Sequence, residues 1–95
     1  MSYEITAYTR PEAEASNVDF IGLPLNEDSA NTHGPTICRP ENVAGWMFAH
    51  LKTGSLEPGA YITSCDILKT DDKVGKVWVP TEMLFIAEEL TQSAN

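Results

Sequence analysis

Four residues could hold a metal or act as nucleophile and base: His33, Cys38, His50 and Cys65. Structural zinc sites draw on such side chains in close pairs, C-x2-C or H-x3-H, because one turn must present two ligands to the same ion. Here the nearest pair, His33 and Cys38, is separated by four residues, and the others are scattered. Neither a metal nor a cofactor is expected. A nucleophilic thiol needs a base and an electropositive setting. Cys65 precedes Asp66, whose carboxylate disfavours a thiolate. Cys38 is better placed, next to Arg39 and just before a helix, yet an ordinary thiol is the simpler expectation. His50 falls in the apolar stripe of a helix, where a lone histidine is usually a core or edge residue; a pocket or pH-sensing role is the alternative.

No other pattern brings chemistry. The six glycines are scattered singly, so neither G-x-G-x-x-G nor G-x4-G-K-[ST] occurs, and G-x-S-x-G and H-E-x-x-H are missing too. The acids at Glu27-Asp28 and Asp71-Asp72 fall in turn-like segments without the twelve-residue spacing of an EF-hand. An enzyme is not expected.

Charge is the strongest signal. Fourteen acids against six bases leave a formal charge of −8 over 95 residues. Residues 1–35 carry −5, residues 36–69 are neutral, and residues 70–95 carry −3. Such a surface repels nucleic acid and anionic membranes, since phosphate binding depends on Lys and Arg displacing counterions. It suits a basic partner and steers the encounter with one. The two cysteines give no disulfide framework; one bridge or two thiols fit equally. The N-terminal segment has no basic and apolar regions of a signal peptide, and no apolar run reaches 18 residues, so a cytoplasmic protein is expected.

The elements that would position these residues form one domain spanning 1–95, the size of a single thin core. Alternation over Tyr3 to Tyr8 predicts a first strand, ended by Arg10-Pro11, and PEAEAS a single helical turn. Val18 to Leu23 reads as a second strand. Residues 24–39, rich in Pro, Asn, Asp and Ser, read as a long loop, within which 36–38 could pair at an edge. Pro40 to Thr53 is the clearest helix: proline in the first turn, Gly54 at the cap, and Val43, Trp46, Met47, His50 and Leu51 on one stripe. Glu57-Pro58-Gly59 is a turn. Ala60 to Leu68 and Lys76 to Val79 read as a hairpin. Pro80 then closes the strand, and Thr81 caps a last helix to about Thr91, with Met83, Ile86, Ala87 and Leu90 facing inward; 92–95 fray. The expected fold is α+β, a small antiparallel sheet in the order ββαββα with two helices packed on one face.

On that last helix Phe85 would point away from the inward stripe, among Glu82, Glu88 and Glu89, and Phe48 lies off the stripe of the first helix. An aromatic ringed by charge is a common interface anchor. Glu82, Phe85, Glu88, Glu89, Phe48, Asp71 and Asp72 are therefore the candidate partner-binding residues. The function expected is that of a small acidic, non-enzymatic binding or inhibitor protein. It would dock on a basic, nucleic-acid-binding surface of another protein. Size and charge are those of small phage and mobile-element inhibitors of host defence nucleases, of the anti-restriction and anti-CRISPR type, which is an analogy of class. The alternative is a small-ligand or catalytic domain using residues 24–40 with Cys38 and His50. A homodimer through Phe85 or Phe48 is a further option.

Overall fold

The computed structural model describes residues 2–25 and 39–90. His33 and Cys38, with most of the expected loop, and the tail 92–95 lie outside the described residues. In chain order the elements are β1 (Ser2–Thr9), α1 (Arg10–Ala15), β2 (Leu23–Pro24), α2 (Pro40–Thr53), β3 (Gly59–Asp71) and β4 (Gly75–Leu90). The sheet order is β1-β4-β3-β2. β4 is antiparallel to both β1 and β3, whereas β2 runs parallel to β3, so the sheet is mixed and not wholly antiparallel.

The fold is α+β as expected, but the order is βαβαββ. The predicted C-terminal helix is instead the second half of β4, paired with β1 from Ser2↔Leu90 to Thr9↔Met83 and with β3 from Gly59↔Ala87 to Thr63↔Met83. A strand held between two neighbours and covered on both faces has no solvent side. Met83 to Ala87 is accordingly a continuous apolar run, which helical periodicity fits by accident. Pro80 does not end the strand. It sits opposite Asp66, beyond the point where β1 stops, and a missing N–H is tolerated on an unpaired edge.

The predicted second strand over Val18 to Leu23 shrinks to Leu23–Pro24. Before it, the chain passes so close to β3 that a Cβ on Gly22 would lie 2.9 Å from the carbonyl carbon and oxygen of Ala60 and the nitrogen of Tyr61. Only glycine permits that approach.

The two helices lie on opposite faces. α2 begins with Pro40 and stops at Gly54, whose φ of 83° lets Ser55 and Leu56 donate their N–H groups to the His50 carbonyl. Its buried side chains Val43, Met47 and Leu51 pack with Tyr61 and Cys65 of β3 and Met83, Phe85 and Ala87 of β4. Tyr3 and Ile5 of β1 close the side of this core. Strand side chains alternate between faces, so Glu82 and Leu84 point the other way. There α1 covers the centre of the sheet: Ala13 and Leu84 are both fully buried, and the Arg10 guanidinium reaches Glu82 at 2.8 Å. α1 follows β1 without a linker because Thr9 serves as its cap. The Thr9 N–H donates to Glu12 Oε1 at 2.8 Å, and the Glu12 N–H donates back to Thr9 Oγ1 at 3.4 Å.

Candidate functional site

Strand geometry scatters the acidic patch that a helix would have gathered. At about 3.3 Å per residue, Glu82 and Glu88 lie on one face some 20 Å apart, while Glu89 projects from the α2 side. Phe85 is 0% exposed, at the centre of the α2-side core. It is no surface anchor, because the residue that stood outside a helical stripe falls on the inward face of a strand. Glu82 is tied to Arg10, whose guanidinium also lies 4.4 Å from the Phe20 ring centroid. Phe48 is partly open to solvent, with Lys52 Nζ at 5.2 Å over its ring. Asp71 and Asp72 sit at the tip of the β3–β4 hairpin. One carboxylate oxygen of Asp71 accepts the N–H groups of Lys73 and Val74 at 2.8 and 3.1 Å, so it serves the turn. Asp72 is exposed.

In place of that patch the sheet brings together two acids that lie 84 positions apart in the chain. Glu4 of β1 and Glu88 of β4 are directly opposed partners on the face that α2 leaves open, and both are exposed. Opposed residues in an antiparallel pair have Cβ atoms about 4.5–5.5 Å apart, and like charges there are destabilising. Among the described residues neither carboxylate has an ion-pair partner, whereas the basic Arg10, Arg39 and Lys52 are engaged by the molecule's own carboxylate or rings. Ile86 and Leu90, alternating with Glu88, add apolar surface on the same face; Leu90 is exposed. Glu4 was absent from the sequence-predicted set. The signal for it was β1's alternation, which puts Glu4 on the polar side of a strand, but its partner becomes visible only once residues 83–90 are read as a strand.

A second feature is a cleft of about 400 Å³ beside the C-terminal half of α2, lined by Leu25, Trp46, His50, Ser55, Leu56 and Tyr61. Trp46 and His50, one turn apart, have ring centroids 4.2 Å apart. The Tyr61 hydroxyl donates to the Glu57 carbonyl at 2.6 Å, which fixes one wall. His50 thus stands half-buried at the edge of the core, within reach of this cleft. Cys65 is a buried thiol in the core on the α2 side. The described residues bring no group of three or more His, Cys, Asp or Glu side chains together for a metal ion, and none of their helices is long and apolar enough to cross a membrane.

Compared with known proteins, the chain matches no family model, no curated protein and no solved structure.

Proposed function

We propose that the chain is a non-enzymatic binding protein whose acidic sheet end docks on a basic surface of a partner protein. What supports this is the opposition of Glu4 and Glu88. Like charges directly opposite on a sheet are destabilising, so a lysine or a neutral residue across from one of them would serve stability better. Held side by side on rigid backbone, two carboxylates offer Arg and Lys clusters an anionic pair at low entropic cost. Basic clusters that grip phosphate are the natural complement, so a nucleic-acid-binding protein is the partner class proposed. An inhibitor occupying such a surface would act by keeping nucleic acid away from it. A host defence nuclease complex is a target of this kind.

A poly-lysine titration tests the docking end without knowledge of the partner. Binding should weaken steeply as salt rises, and Glu4→Gln/Glu88→Gln should lower affinity about tenfold, a loss of roughly 1.4 kcal/mol. Asp72→Asn, at the far end of β4, should leave it unchanged. Equal affinity for wild type and the double variant would sink the proposal.

The cleft at Trp46 and His50 favours one other reading, a small-ligand site with an aromatic wall. A ligand seated there would raise the melting temperature, and Trp46→Ala would abolish the rise.

A further inference from the structure

Beyond Thr9 the strand β4 has no β1 beside it, and β2 reaches only Tyr61 and Ile62 of β3. Residues 63–71 and 75–82 therefore pair only with each other, and beyond the buried Thr63 and Cys65 and the half-buried Ile67 the outer part, residues 68–78, stands clear of the core as a two-stranded arm. The arm is basic although the chain as a whole is acidic. Residues 68–78 contain three lysines and two aspartates, a net +1, which leaves −9 on the remainder. One of those aspartates, Asp71, is turned onto the backbone of the loop. The arm also exposes apolar side chains. Leu68 and Trp78 are opposed partners, 44% and 48% exposed, and Val74 in the turn is 70% exposed. Arg39, at the start of α2, holds its guanidinium 4.2 Å from the Trp78 ring centroid. A half-exposed tryptophan with an arginine over it is the pair of residue types most enriched at binding hot spots.

We infer that the arm docks on the acidic end of a second copy of this chain. The inference rests on the Glu4–Glu88 end being a docking surface for cations. Lys73 and Lys76 meet Glu4 and Glu88 of the other copy; in the antiparallel arrangement this requires, Trp78 falls over its partly buried Ile86, and the exposed Val74 over its exposed Leu90. The contact is reciprocal. Lys76 and Glu88 lie twelve residues apart on one strand, about 40 Å, so two copies lying side by side in opposite directions satisfy both contacts at once and close as a dimer. Repulsion between two chains of net −8 does not prevent this. The Debye length at about 0.1 M salt is roughly 10 Å, far shorter than the distance between the two ends, so each end is felt locally. Dimerisation covers the carboxylates that a basic partner would use, and the two associations exclude each other.

Sedimentation equilibrium of the full chain at about 0.1 M NaCl tests this, with reversal of each end separately. Wild type should run at twice the monomer mass and dissociate in high salt. Lys73→Glu/Lys76→Glu and Glu4→Lys/Glu88→Lys should each be monomeric, and an equimolar mixture of the two should restore the dimer. Trp78→Ala should weaken it about tenfold or more. All substituted positions are exposed, and unchanged far-UV circular dichroism would verify the fold. A wild type that stays monomeric at millimolar concentration, or a mixture that fails to associate, overturns the inference. If wild type is monomeric yet binds poly-lysine through Glu4 and Glu88, self-docking alone is wrong. If poly-lysine binding ignores Glu4 and Glu88, the docking end itself is wrong.

Discussion

Residues 75–82 and 83–90 are two halves of one strand in opposite surroundings. The second half has β1 and β3 at its edges, α2 beneath it and α1 above its start, and its Met83, Leu84, Phe85 and Ala87 are all buried. The first half has β3 at one edge only, and its Trp78 is half exposed. Both pair with β3 in one unbroken register. Hydrogen bonding to β3 is therefore common to both, and what differs is the apolar cover. Stability is concentrated in one half, and the other is left to present side chains.

The sharpest way to break that contrast is to truncate one aromatic in each half. Phe85→Ala should lower unfolding free energy by about 3–5 kcal/mol, enough to unfold a marginal domain, whereas Trp78→Ala should change it by no more than about 0.5 kcal/mol in a urea melt at high salt, where the chain is monomeric. Similar losses at both positions would mean the arm is part of the core. Gly22→Ala comes next. Its Cβ would lie 2.9 Å from three atoms of the Ala60–Tyr61 peptide, so β2 must move off β3 at a loss of about 1–3 kcal/mol.

The junction of the two halves is Thr9, where β1 leaves the sheet and α1 begins. Thr9→Ala should lose about 1 kcal/mol by removing the cap. The pH dependence of that cap follows from Glu12, whose carboxyl is held below its ordinary 4.5, first by the Thr9 backbone N–H and then by the Thr9 hydroxyl. A carboxyl with a lowered folded pKa stabilises above its unfolded value and loses that effect as pH falls through the folded one. Melting curves of wild type and Glu12→Gln should therefore differ at neutral pH and converge in acid. The smallest effect is a gain. Glu88→Lys should raise stability by a few tenths of a kcal/mol to about 1 kcal/mol by turning the opposed Glu4–Glu88 pair into an attractive one, while weakening poly-lysine binding about tenfold.

Much of the fold was legible where the local signal is one-sided. α2 announced itself through Pro40, Gly54 and a stripe whose Val43, Met47 and Leu51 are the buried residues. The first strand, the helical turn after it and the hairpin were legible too, whereas Gly59 of the expected Glu57-Pro58-Gly59 turn is the first residue of β3. Residues 81–90 were not. Met, Leu, Ala and Glu are good helix formers, Thr81 resembles a cap, and a strand buried on both faces lacks the alternation that would identify it. The candidate site suffered from that one error: Phe85 moved into the core, and Glu82, Glu88 and Glu89 dispersed. Glu4 joined Glu88 through a pairing that no local pattern encodes. Arg10's bond to Glu82 is illegible for the same reason, being a contact across 72 positions.

The register of β1 on β4 also sets the order in which the chain can fold. The β3–β4 hairpin closes across a three-residue connection, with Gly75 at φ 88° to make the turn, and can zip from there. β1 must return from the opposite end of the chain, and loop closure of that length is slow. Until it arrives, the β4 edge over 83–90 stands unpaired with its apolar run uncovered, a template for any other strand. Refolding yield should fall with concentration for that reason, and a synthetic β1 peptide supplied in excess should restore it.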